Sequence, residues 1–170
     1  MRIFIEEQRF NQLWLIILIL VSVLVPIGII LGTYIKDPSS FSNTELIVIF
    51  CTLVLASGIV FLFKLSTRID EKGIHYKFFP FHLGFKTIQW HEIDNAYVRT
   101  YSAISEYGGW GLKGGALRSK SKGKAINVSG DIGIQLELKN GKKLLIGSQK
   151  QEDAKRIVAA YYTKFKNEIE

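Results

Sequence analysis

Between Glu106 and Asp131 the chain carries five cations, Lys113, Arg118, Lys120, Lys122 and Lys124, and no acidic residue. Glycines interleave with them, and Tyr107 and Trp110 open the stretch. Each Lys or Arg held close to an anionic membrane face contributes about 1 kcal/mol of attraction, and an indole suits the headgroup layer. The same residues also fit a protein contact, with Tyr107 and Trp110 as aromatic anchors and the glycines permitting close backbone approach. A hydrated inter-strand loop is the competing reading, because a charge run alone is weak evidence. Gly109 to Gly114 spells G-x-G-x-x-G, yet Arg118, Ser119, Lys120 and Gly123 follow where a dinucleotide site needs an apolar helix.

Other chemistry-bearing residues are sparse. His75, His82 and His91 lack the spacing of metal-ligand pairs, and no G-x-S-x-G elbow or P-loop occurs. His91 and Glu92 are adjacent, which on a strand sends them to opposite faces. Asp70-Glu71 and Glu152-Asp153 suit a turn and a helix start. Cys51 is the single cysteine and lies in an apolar run, so it reads as a packing or lipid-facing thiol. These patterns lead to the expectation of a non-enzymatic protein with no metal, no cofactor and no nucleic-acid partner.

The elements that must position these residues follow from composition. The chain has 170 residues, 48% apolar and 22% charged, with mean hydropathy +0.17 and net charge +7, which excludes disorder and collagen-like structure. Yet Phe10 to Ile35 and Leu46 to Phe63 contain no charged residue, and a membrane-spanning helix needs roughly 20 mostly apolar residues. Residues 1–64 are therefore expected to be a transmembrane helical hairpin, with spans at about 13–31 and 46–63, and residues 65–170 a soluble domain. The first run is longer than a signal-peptide core and no A-x-A-like site follows it, so it reads as an uncleaved anchor. Gly32 to Glu45 has turn chemistry.

Arg2, Arg9, Lys64, Arg68, Lys72 and Lys77 flank the outer ends of the spans and Lys36 alone lies between them, which predicts both termini in the cytoplasm. On that orientation the Asn127-Val128-Ser129 sequon lies on the wrong side for glycosylation. Gly28 and Gly32 are spaced for close helix packing, within the hairpin or between two copies. Neither span holds an ionisable group other than Cys51, which argues against an ion pathway. Residues 64–170 carry net charge +8 and residues 1–63 carry −1.

After Leu65 the pattern becomes that of strands. Ser66–Glu71, Gly73–Phe79, Phe85–Trp90 and Ile93–Tyr101 are rich in β-branched and aromatic residues, and Ala125–Val128 adds another. Ile134, Leu136 and Leu138 alternate with polar residues before Asn140-Gly141, a strong hairpin signal, and Lys142–Ile146. Trp90 is expected to fill the barrel core beside Ile88. The C-terminus turns to a period near 3.6, with Ala154, Ile157, Val158, Tyr161 and Phe165 on one face and a predicted Ser148/Gln151 capping box. The fold class is thus α+β: a transmembrane hairpin, then a barrel or orthogonal sandwich of about seven strands with a C-terminal helix across it.

The two-helix anchor running into Arg68-Ile69-Asp70-Glu71-Lys72-Gly73-Ile74, the Ile88-Gln89-Trp90-His91-Glu92-Ile93 segment, the Asn140-Gly141 hairpin and the closing helix resemble the bacterial pleckstrin-homology-like (PH-like) membrane proteins. The resemblance implies a seven-stranded barrel capped by a helix, in a family whose biochemical role is generally unassigned. Phosphoinositide-binding relatives in eukaryotes carry basic residues between their first two strands; the turn taken as corresponding here offers only Lys72 beside Asp70 and Glu71, against inositol-lipid binding. The expected function is a membrane-anchored module recognising a protein partner or anionic membrane surface through the Tyr107–Lys124 segment. The alternative is a structural or assembly subunit of a larger membrane complex, with a homodimer among its forms.

Overall fold

The computed structural model describes residues 3–114 and 123–167. Strand β1 (Phe4–Arg9) precedes helices α1 (Leu13–Lys36) and α2 (Asn43–Gly58), the latter continued by a 3-10 turn over Ile59–Leu62. Then come β2 (Lys64–Asp70), β3 (Gly73–Phe79), β4 (Lys86–Gln89), a 3-10 turn at Trp90–Glu92 and β5 (Ile93–Thr100). Helix α3 (Ala103–Tyr107), β6 (Gly111–Lys113), β7 (Lys124–Asn127), β8 (Ile132–Leu138), β9 (Lys143–Ser148) and α4 (Gln151–Asn167) complete the order. The chain divides into two compact units: residues 10–63, and β1 together with everything from Lys64 onward.

In the helical unit, α1 and the α2 segment through Leu62 are 24 and 20 residues long, apolar enough to cross a membrane by length and composition. Ser42 starts α2 with a capping box: its Oγ accepts from the Glu45 N–H at 3.2 Å, and its own N–H donates to Glu45 Oε2 at 2.8 Å. Ile27, Ile30 and Leu31 of α1 border one groove with Leu46, Phe50 and Leu53 of α2, and Phe10 meets Phe63 edge-on at 6.2 Å. A Cβ added at Gly28 or Gly32 would meet no atom within 4 Å. Within the hairpin, α2 therefore does not pack against these two glycines.

The second unit is built on two sheets. Sheet A is antiparallel in the order β1-β2-β3-β4; sheet B runs β5-β8-β9-β7-β6, with β7 parallel to β9. Leu65, Ile69, Ile74 and Phe78 of sheet A, Ile126, Ile134, Leu136, Leu145 and Ile146 of sheet B, and Ala154, Val158 and Tyr161 of α4 are buried. The acidic Glu152 and Asp153 occupy the first turn of α4 and Lys164 and Lys166 the last, matching the helix dipole.

Among the described residues there are nine strands, against the seven or so expected. One addition is β1, so the N-terminal residues expected in the anchor domain instead pair with β2, from Phe4↔Ile69 to Arg9↔Lys64. The alternation that marks this strand buries Phe4, Glu6 and Gln8, and two polar residues on the inner face hide the usual apolar signal. Glu6 Oε2 accepts from Ser148 Oγ at 2.7 Å and Oε1 from the Gln149 N–H at 2.7 Å, while Gln8 Nε2 donates to the Gly147 carbonyl at 2.8 Å. Ser148 is thereby committed to Glu6 and to the Lys150 N–H, in place of the expected capping box with Gln151. The other addition, β6, lies within the glycine-rich segment. The Asn140–Gly141 turn is present, but only Gly141 takes a positive φ, and the connection runs from Lys139 to Lys142.

Candidate functional site

The glycine-rich segment begins in a tightly held corner. Tyr107, expected as an aromatic anchor, ends α3 and is 8% exposed; its ring meets Tyr101 edge-on at 6.0 Å within a cluster that includes Ala103, Ala125 and Leu145. Arg99 clamps the corner: Nη2 donates to Glu106 Oε2 at 2.8 Å and to the Tyr107 hydroxyl at 3.2 Å, and Nε to Gln135 Oε1 at 3.1 Å. The Glu106 hydrogen bond outweighs burial, raising the Arg99 pKa above its ordinary value. Trp110 packs half-buried against the same cluster. These two aromatics therefore position the segment, which removes Tyr107 from the set of surface contacts.

Past Trp110 the chain enters β6 and not a helix, so the G-x-G-x-x-G spacing lacks the context of a dinucleotide site. Asn127 organises the entry: its Oδ1 accepts from the Gly111 N–H at 2.9 Å, and its Nδ2 donates to the Tyr101 hydroxyl at 2.9 Å. Burial chiefly raises the Tyr101 pKa, to about 12. The sequon asparagine is fully buried and engaged on both side-chain atoms, which bars a glycan from the folded state.

Lys113 ends β6 and exposed Lys124 begins β7, paired through Lys113↔Ala125. The two flanking glycines are required here. A Cβ on Gly114 would lie 2.6 Å from Lys124 Cα, and one on Gly123 would lie 2.3 Å from the Lys143 carbonyl oxygen. Their φ values, +121° and +80°, independently favour glycine. The stem of the basic segment is thus fixed against β9 at the edge of sheet B. Arg118, Lys120 and Lys122 lie outside the described residues.

Sheet A holds a second polar arrangement that residue spacing does not reveal. His75 Nε2 lies 2.9 Å from Asp70 Oδ1 and His75 Nδ1 lies 2.7 Å from Thr87 Oγ1, while Arg68 Nη2 reaches Asp70 Oδ2 at 2.9 Å. Strand register makes them neighbours, through Arg68↔His75 and His75↔Thr87. Burial works to raise the Asp70 pKa, but hydrogen bonds from His75 and the Lys72 N–H, with the charges of His75 and Arg68, bring it below its ordinary value. A carboxylate, imidazole and hydroxyl in series is the order used by nucleophilic hydrolases. Here Asp70 also closes the β2–β3 turn through Lys72 and holds Arg68, so the series ties three strands together.

Trp90 is buried, as expected, but in the 3-10 turn after β4. Its Nε1 donates to the Asp70 carbonyl at 2.8 Å and its ring stacks on Tyr161 at 5.6 Å and Phe165 at 5.9 Å. It therefore fastens α4 to the end of sheet A. Beside it a cleft of about 240 Å³ is bordered by Asp94, Lys139 and Lys166. Comparisons with protein-family models, with curated proteins and with solved structures find no match for this chain.

Proposed function

We propose that this chain is a membrane-anchored, non-enzymatic module. On this reading α1 and α2 cross the membrane with both termini in the cytoplasm, and the basic segment between β6 and β7 engages the anionic lipid surface. The single observation that carries the reading is the pinned stem: Gly114 and Gly123 hold Lys113 and Lys124 at the root of a segment with five cations and no acid. Because Tyr107 is buried and Trp110 packs against the adjoining cluster, the cations are the better supported recognition groups, which favours a charged surface over an aromatic-anchored protein contact.

The PH-like reading also gains support, in altered form. Without the β6–β7 excursion, seven strands remain as sheets of four and three, and α4 packs with them. In that alignment the transmembrane hairpin is inserted between the first and second strands. The Asp70–Gly73 turn then follows the second strand, so its lack of basic residues no longer bears on the loop that binds inositol lipids in eukaryotic relatives.

The test is amine-reactive labelling of Lys113 and Lys124 in the full chain, reconstituted in nanodiscs with or without phosphatidylglycerol. Protection at both lysines only with the anionic lipid, reversed by high salt, is the expected result. Equal labelling in both lipids overturns the surface reading. A protein that co-purifies with the full chain, and is lost when all five cations are changed to Ser, would instead support the protein-partner form.

A further inference from the structure

We propose that the β3–β4 loop, Pro80–Phe85, together with Phe79 at the end of β3, is a second membrane contact, seating its apolar side chains in the interfacial layer of the bilayer that holds α1 and α2. The proposal rests on the reading of those helices as spans but not on the role of the basic segment. Residues 78–85 read Phe-Phe-Pro-Phe-His-Leu-Gly-Phe, with no Asp, Glu, Lys or Arg. Phe81, Leu83 and Phe85 are 61%, 82% and 54% exposed, and Phe79 is exposed as well. Such a cluster of large apolar side chains on one loop marks an interaction surface.

Strand register identifies the occupant. Arg9 pairs with Lys64, and Lys64 with Phe79. Arg9 is the last residue before the chain enters the helical unit at Phe10, and Lys64 the first after it leaves at Phe63. The apolar loop therefore leaves sheet A at the end where both helices are covalently joined, whereas the opposite end carries the polar Asp70–Gly73 turn. Lys77 and Lys86 bracket the loop, so aromatic residues with basic neighbours stand where a membrane interface favours them.

The loop is also preorganised. His82 is buried; its N–H donates to the Phe78 carbonyl at 2.8 Å, and the Phe78 N–H donates to its Nδ1 at 3.2 Å. Burial, then the charge of Lys86, lowers the His82 pKa, which disfavours a charge at the centre of the loop. The Phe81 ring stacks on Phe78 at 5.9 Å. The exposed apolar side chains thus project from a fixed turn, which reduces the ordering cost of insertion.

The experiment uses the full chain with Cys51→Ser, spin-labelled singly at Leu83→Cys, Lys72→Cys or Leu24→Cys, in vesicles of phosphatidylethanolamine and phosphatidylglycerol. Leu83 and Lys72 are exposed loop or turn positions, so labels there leave the core intact. The expected result is an oxygen-to-nickel collision ratio several-fold higher at position 83 than at 72, with position 24 higher still. A ratio at 83 equal to that at 72, with 24 in lipid, overturns the loop contact alone. Water exposure at 24 overturns the membrane-span reading and the loop contact with it. Spin–spin broadening at 83, without oxygen enrichment, would assign the loop to a contact between two copies and likewise overturn the proposal.

Discussion

At the scale of single residues, Tyr107 and Asp70 each hold a corner of the β unit: the Tyr107 hydroxyl accepts from Arg99, and the Asp70 carboxylate accepts from the Lys72 N–H. Tyr107 was legible as an aromatic beside a basic segment, but only the packing of α3 on β7 and β9 shows that it is buried. Its hydroxyl accepts from Arg99, so Tyr107→Phe is expected to cost about 1 kcal/mol and Tyr107→Ala about 3–5 kcal/mol, measured by denaturant unfolding of the full chain. Tyr107→Phe should leave lipid-dependent labelling of Lys113 unchanged. Asp70 gives a pH dependence. Its pKa in the folded protein lies below the ordinary value of 3.8, so its contribution to stability is complete above that value and is lost as pH falls through the folded one. Thermal unfolding followed across this acidic range should show a shallower decline for Asp70→Asn than for the wild type. Neither role could be read from the sequence, because Asp70, His75 and Thr87 meet only once three strands are in register.

At the scale of elements, periodicity was sufficient where one face is apolar. Charge-free length located α1 and α2 and residue composition the strands from β2 to β5, while periodicity located the β8–β9 hairpin and α4. It failed for β1, where buried Glu6 and Gln8 replace the apolar residues that mark an inner face. Glu6→Ala leaves the Ser148 hydroxyl and the Gln149 N–H without their carboxylate, with an expected loss of about 1–3 kcal/mol and faster hydrogen exchange in both β1 and β9. Periodicity also failed for β6, whose three residues are too few to show an alternation. Gly73, at the start of β3, tests the sheet directly. A Cβ there would lie 2.1 Å from the Ile88 carbonyl oxygen of β4, so Gly73→Ala is expected to cost about 1–3 kcal/mol, with exchange protection lost first at the β3–β4 ladder.

At the scale of the whole molecule, the helical hairpin interrupts the β unit: sheet A begins at β1, and the chain returns to it only at Lys64. Deleting residues 1–9 should therefore lower the thermal unfolding midpoint of the β unit and expose the β2 edge to exchange, although both apolar helices remain complete. An unchanged midpoint would show that β1 is dispensable to the sheet. The sequence by itself determined two charge-free helices of spanning length, a basic strand-rich remainder and a closing amphipathic helix, because hydropathy, charge and local period are properties of neighbouring residues. Only the tertiary structure decided that the first residues belong to the second unit, that Tyr107 is buried, and that the Pro80–Phe85 loop leaves sheet A at the end where Arg9 and Lys64 lie. Those facts depend on strand register and burial between residues far apart in sequence, which no local pattern encodes.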